Sequence, residues 1–163
     1  MKKRILAILS ALFVVASFTA PALAAVTFHK GPSFTDLGGD YTVNLYADAS
    51  GLGNTNLVGT IDFSGTVQYT CQNKGGNIAP GQPFVYLQPA VTQSVSPDKS
   101  GRAVVDLTAS FSPPSTVSGT TAGCPNGKWI GINPVVIGPV SATGTITRGN
   151  QQLFQQIISP VKP

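Results

Sequence analysis

Glutamate is absent from this chain, histidine occurs once, cysteine twice, and only 10% of the 163 residues are charged. General acid/base catalysis draws on paired carboxylates or a histidine beside a nucleophile. With His29 as the only imidazole and six aspartates as the only acids, few such sets can be built. No G-x-S-x-G elbow is present, which argues against a common serine-hydrolase arrangement. C-x-x-C pairs and Cys/His zinc spacings are missing too, so neither a redox dithiol nor a zinc site is expected. No window has the three-and-four apolar spacing of an amphipathic helix. No cofactor is expected, and an enzyme is not the expected class.

What is present begins with a leader. Met1-Lys2-Lys3-Arg4 is basic, Ile5 to Thr19 is uncharged and apolar, and Pro21-Ala22-Leu23-Ala24 ends in the A-x-A pattern of a cleavage site. Residues 1–24 are therefore expected to be a secretory signal peptide. The apolar run is shorter than a bilayer span of about 20 residues. No cysteine follows the cut directly, no L-P-x-T-G motif occurs, and no later apolar run is long enough to anchor the chain. A secreted, extracellular protein with no membrane span after cleavage is expected. The formal charge of +4 belongs to the precursor; beyond Ala24, seven cations face six aspartates. Those cations are scattered singly, so no basic patch points to nucleic acid.

Past the leader a period of two dominates. From Ile61 to Cys71 the odd positions are Ile, Phe, Gly, Val, Tyr and Cys, and the even ones are Asp62, Ser64, Thr66, Gln68 and Thr70. Alternate strand side chains point to opposite faces, so this is a strand with one apolar side. Gly65 interrupts it as a bulge or a close backbone approach. Ala103–Phe111 and Val140–Thr147 repeat the pattern, and Tyr41–Ala47 and Phe84–Val95 are further strands. The segment Lys128–Ile137 is apolar on both faces, as a central strand is, provided Pro134 sits at a bulge or an end. Turn formers separate these runs, among them Lys74-Gly75-Gly76-Asn77, Pro97 to Gly101, Asn126-Gly127 and Gly149-Asn150. About seven such strands predict an all-β fold, an antiparallel immunoglobulin-like β-sandwich, with a small β-barrel as the alternative. The domain is expected over residues 25–150. Residues 151–163, rich in glutamine, read as either a last strand or a flexible tail.

Cys71 and Cys124 both lie in the exported part, where an even count reads as a disulfide. Closing a loop of roughly fifty residues stabilises by about 4 kcal/mol at most in the chain-entropy estimate. Cys71 ends the strongest strand and Cys124 sits in a Gly-Cys-Pro turn, so the expected bond pins a strand end to a loop. Trp129 is expected in the core beside it.

Binding residues are sought on loops and among aromatics. Phe84 and Tyr86 share one face of their strand, and Val85 and Leu87 share the other. If the aliphatic face is buried, Phe84 and Tyr86 can stack on a sugar or partner. Otherwise Phe84 lies under a loop and Tyr86 in a cross-strand pair, which is the preferred arrangement. Asp48, Asn54 and Asn56 crowd a Gly-rich loop and are candidate ligand contacts, as is the loop Asn73–Gln82. Asp36, Asp40 and Asp48 are the candidates for calcium, but the D-x-D-x-D-G pattern is missing. Turn-stabilising hydrogen bonds are the expected role of these residues instead.

Three segments, Gly51-Leu52-Gly53-Asn54-Thr55-Asn56, Cys71-Gln72-Asn73-Lys74-Gly75-Gly76-Asn77-Ile78-Ala79-Pro80-Gly81-Gln82 and Ala122-Gly123-Cys124-Pro125-Asn126-Gly127-Lys128-Trp129, together resemble a group of small exported bacterial proteins. Each has a signal peptide and one domain of this length. The resemblance spans roughly Asp40 to Thr147 and implies a secreted β-domain bridged by Cys71–Cys124. It carries over no activity and no catalytic residue. The expected function is a non-enzymatic secreted or envelope-associated domain that binds or has a structural role, its partner a cell-wall glycan or an extracellular protein. The alternatives are a secreted hydrolase using Asp36, Asp40 or Asp48, and a secreted inhibitor or effector acting on another protein.

Overall fold

The structure, a computed structural model, describes residues 25–163; the expected leader, 1–24, lies outside the described residues. Nine strands form: β1 (Thr27–Asp36), β2 (Thr42–Ser50), β3 (Leu57–Gln72), β4 (Ile78–Pro80), β5 (Phe84–Val95), β6 (Ala103–Ser110), β7 (Thr116–Ser118), β8 (Ile130–Arg148) and β9 (Gln151–Val161). All pairings are antiparallel. One sheet has the order β1-β2-β6. The other is built on the long central pair β3–β8, with β4 and β5 along the free side of β3 and β7 and β9 along that of β8. The sheets face each other as a β-sandwich and do not close into a barrel.

The expected strands are present, with two differences. Lys128–Ile137 and Val140–Thr147 are one strand, β8, bent rather than broken at Pro134. The pairing with β3 slips between Gln68 and Thr70, and Asn133 takes a φ of 50°. The bulge thus falls where the proline removes a ladder donor. The count exceeds seven partly because β4 and β7, three residues each, extend the edges beyond the ends of β5 and β9. Past residue 150, the last strand is the observed one of the two expected readings. Gln151–Val161 is strand, paired to β8 from Arg148↔Gln151 to Val140↔Val161, and Val161 is buried.

The alternation reads directly as burial. Every odd residue of β3 from Leu57 to Cys71 is buried and every even one faces outward. Val43, Leu45, Ala47 and Ala49 of β2, Ala103 and Val105 of β6, and Val140, Ala142 and Ile146 of β8 complete the core. A fully buried Leu45 or Ile61 contributes about 1.5–3 kcal/mol. Gly65 is both things foreseen for it. The β3–β8 register slips just after it, and a Cβ there would lie 2.8 Å from the Phe111 ring.

Scattered hydrogen bonds, most of them involving side chains, join the sheets at their two seams in place of a shared ladder. On one side the β5 glutamines cap the edge of β6: Gln93 Oε1 accepts from the Asp106 N–H (3.0 Å), Gln88 Oε1 accepts from the Ser112 N–H (2.7 Å), and Gln88 Nε2 donates to the Ser110 carbonyl (3.1 Å). On the other, Asp36 accepts from the Lys162 N–H (3.0 Å) and the Gly39 N–H donates to the Pro163 carbonyl (3.1 Å). An edge strand presents unpaired backbone groups, and these contacts occupy some of them.

Asp48, buried on β2, receives Arg102 Nε at 2.8 Å and Nη2 at 2.5 Å. Arg102 follows the turn in which Asp98 Oδ1 accepts from the Ser100 and Arg102 N–H groups (2.8 and 3.0 Å). The Arg102 hydrogen bonds hold the Asp48 carboxyl below its ordinary 3.8, with the guanidinium charge adding to them against burial. A carboxylate with a depressed folded pKa stabilises the fold above its unfolded value, and that stabilisation is lost as pH falls through the folded one. The melting temperature is therefore expected to drop as pH falls below about 4. Asp48→Asn is expected to lower the melting temperature at pH 7 and to shrink the acid-dependent drop, read by thermal melts from pH 7 to pH 2.

Candidate functional site

The three-stranded sheet reaches only as far along β3 as Gly65, where Phe111, just past β6, meets it. Beyond this point β3 and β8 continue without a facing sheet, and the segment 111–129 covers their inner face. Tyr69, 1% exposed, donates its hydroxyl to the Pro114 carbonyl (2.7 Å) and stacks on Phe84 (5.9 Å between centroids). Burial raises the Tyr69 phenol above its ordinary 10.0, with Tyr86 contributing. Ala122 is fully buried against this end, and the fit leaves no room for a side chain at Gly131: a Cβ there would lie 2.7 Å from that of Ala122 and 2.8 Å from Val117. The Gln82 N–H donates to the Ala122 carbonyl (2.9 Å) and the Gly81 N–H to the Tyr69 carbonyl (2.9 Å). The Cys71–Cys124 disulfide joins the end of β3 to this covering loop across a Cα–Cα distance of 5.6 Å, so the expected strand-to-loop pin is present.

The bond and the Gln72↔Ile130 strand pair beside it bring together two turns 53 residues apart. In the first, Asn73 Oδ1 accepts from the Gly75 and Asn77 N–H groups (2.9 and 3.0 Å), while the Gly76 N–H donates to the Asn73 carbonyl (3.0 Å). In the second, Asn126 Oδ1 accepts from the Lys128 N–H (3.0 Å) and the Trp129 N–H donates to the Asn126 carbonyl (3.2 Å). Between them lies an open groove of about 740 Å³ lined by Asn73, Lys74, Gly75, Asn126, Lys128 and Trp129. Ligand sites commonly fall between about 300 and 1,000 Å³.

Trp129 is therefore not in the core, as its expected place beside the disulfide suggested. It is half-buried, packed against core residues on one side and lining the groove on the other. Trp129 directly follows the polar turn Asn126-Gly127-Lys128, and that position at a turn was the available signal. Of the expected Asn73–Gln82 loop, the groove takes Asn73 to Gly75.

The other expected contacts lie elsewhere. Phe84 and Tyr86 face inward, Phe84 on Tyr69 and Tyr86 against Phe111 (5.9 Å), while Val85 and Leu87 are exposed. The arrangement with a buried aromatic face is the observed one, and these two rings offer no outward platform for a sugar. Asp48 accepts from Arg102 through both oxygens, and the guanidinium charge already compensates its carboxylate. Asp36 caps its own turn, accepting from the Gly38 N–H (2.9 Å) with its other oxygen on Lys162; the Gly38 bond is the main cause of its lowered pKa. Asp40 sits apart in the left-handed turn after Asp36, φ 50°. Asn56 donates to Ser94 Oγ (3.0 Å), and Asn54 is exposed on the turn that the buried Leu52 anchors. Among the described residues, no three His, Cys, Asp or Glu side chains gather where they could hold a metal ion.

His29 has a partner, Ser50 Oγ at 2.8 Å. The pair is exposed on strands β1 and β2, and the neighbouring carboxylate, Asp48, has both oxygens on Arg102. The third member of a Ser-His-Asp set is therefore not available to orient the imidazole.

The chain matches no known family model and none of the curated proteins compared with it, so the functional reading rests on the chemistry of the groove. The disulfide is compatible with an oxidising, extracellular setting. No helix among the described residues is long and apolar enough to cross a membrane.

Replacing both cysteines with alanine is expected to lower unfolding free energy by up to about 4 kcal/mol, measured from urea unfolding curves. Far-ultraviolet circular dichroism is expected to keep its β-sheet spectrum, because Cys71 is the one bridged residue of a buried core that extends along β2, β3, β6 and β8 well away from the bond.

Proposed function

We propose that this is a secreted, non-enzymatic binding domain whose contact surface is the disulfide-clasped groove at the overhanging end of β3 and β8, and that its ligand is an extracellular glycan. The carrying observation is the half-buried Trp129, held in a groove between two turns that their own asparagine caps make rigid. An indole fixed on one side and open on the other presents an apolar face on which the C–H face of a sugar ring can stack. Preformed loops lose little conformational entropy on binding, which favours affinity from a small contact area. The leader and the bridge support an exported setting. The absence of glutamate and the engagement of Asp48 and Asp36 elsewhere favour binding over hydrolysis.

Retention on purified cell-wall polysaccharide tests this reading. The wild-type domain is expected to be retained, and Trp129→Ala to weaken binding by at least roughly thirtyfold, the size of an aromatic hot spot. Trp129→Phe, which keeps a ring, is expected to retain most of the affinity. Undiminished binding by a folded Trp129→Ala protein would place the contact surface elsewhere.

A further inference from the structure

We infer that the groove selects an acidic saccharide, one bearing carboxylate or phosphate groups; this rests on the binding reading above and narrows it. The basis is the hydrogen-bonding balance of the lining. Asn73 and Asn126 each use the side-chain oxygen to accept backbone N–H groups of their own turn, which also fixes which end of each amide is nitrogen. Neither Nδ2 has an acceptor among the described residues, and the same holds for the Lys74 and Lys128 ammonium groups and the Trp129 indole N–H. The groove thus offers five side-chain groups able to donate against one unused side-chain lone pair, on Asn126 Oδ1, able to accept. A neutral sugar, whose hydroxyls both donate and accept, matches such a lining only in part. A ligand rich in anionic oxygens matches all of its donors, and hydrogen bonds to a charged acceptor are the stronger kind.

Charge placement points the same way. The six aspartates stand at 36, 40, 48, 62, 98 and 106, so neither turn of the groove nor the strands leading into it from Phe63 onward and from Ile130 onward contain an acid. Asp40 borders Pro134 and Val136, about 16–23 Å along β8 from Trp129. That exceeds the screening length of about 8 Å at physiological salt. Lys74 and Lys128 therefore act as an unneutralised pair, although seven cations and six acids nearly balance over residues 25–163.

The test is titration of the oxidised protein with oligogalacturonate, phosphorylated oligomannose, neutral oligomannose and polyglutamate, read by calorimetry and by the fluorescence of Trp129, the chain's single tryptophan. At least one of the two acidic saccharides is expected to bind and to shift the emission, and which one does so tells carboxylate from phosphate. Binding is expected to weaken several-fold between 50 and 200 mM salt. Lys74→Gln and Lys128→Gln are each expected to weaken it roughly threefold, and the double variant roughly tenfold. Neutral oligomannose binding as tightly as the acidic saccharides would overturn the acidic selection while leaving the binding reading intact. Polyglutamate binding as tightly would overturn the saccharide and point to an acidic protein partner. If none of the probes binds while the domain is still retained on cell-wall polysaccharide, the acidic inference alone fails; loss of that retention as well removes the binding reading with it.

Discussion

Two strands that outrun the sheet facing them expose an apolar inner face, and in this protein a loop has to cover it. From Val67 to Gln72 and from Ile130 to Val136, β3 and β8 carry the segment 111–129 in place of a second sheet. Its hold consists of the short β7–β8 ladder, the Tyr69 hydroxyl on Pro114, the burial of Ala122, a few further backbone hydrogen bonds and the Cys71–Cys124 bond. A covering segment whose one regular pairing is three residues long is the part of a small domain most prone to local opening. The covalent link limits that opening, and together with the Gln72↔Ile130 pair it sets the distance between the two asparagine-capped turns.

The groove follows from this constraint. It lies just beyond the paired ends of β3 and β8, its walls are turns with their own internal hydrogen bonds, and its one aromatic ring packs against the core. The remainder of the molecule is closed off differently. The glutamines of β5 and the carboxylate of Asp36 occupy backbone groups at the seams, and Arg102 engages Asp48. Acidic side chains lie on the sandwich body, and the overhanging end has cations alone. A nearly neutral protein thereby carries a local positive pole, which net charge conceals.

The sandwich was legible because one face of β3 and β6 is dry and the other wet, so residues 61–71 and 103–111 alternate strictly. β9 was ambiguous for the opposite reason. Its apolar residues come in doublets, Leu153-Phe154 and Ile157-Ile158, Ile157 is 64% exposed, and register slips near both ends destroy a clean period. Phe84–Leu87 is apolar on both sides, and its orientation is decided by the Tyr69 and Phe111 rings, which are distant in sequence. The disulfide could be read from a count of two. The groove could not, since Lys74 and Trp129 become neighbours only through the pairing of Gln72 with Ile130 at the ends of β3 and β8, beside the disulfide, and neither turn alone looks like a site.

Hydrogen–deuterium exchange on the oxidised and reduced protein, resolved to individual segments, bears on this most directly. If the bond is what holds the covering loop and the groove turns, reduction will speed exchange in 70–76 and 118–131 and leave 43–49 and 61–67 protected. Unchanged exchange at the overhanging end, or a loss of protection spread evenly over both sheets, would contradict it.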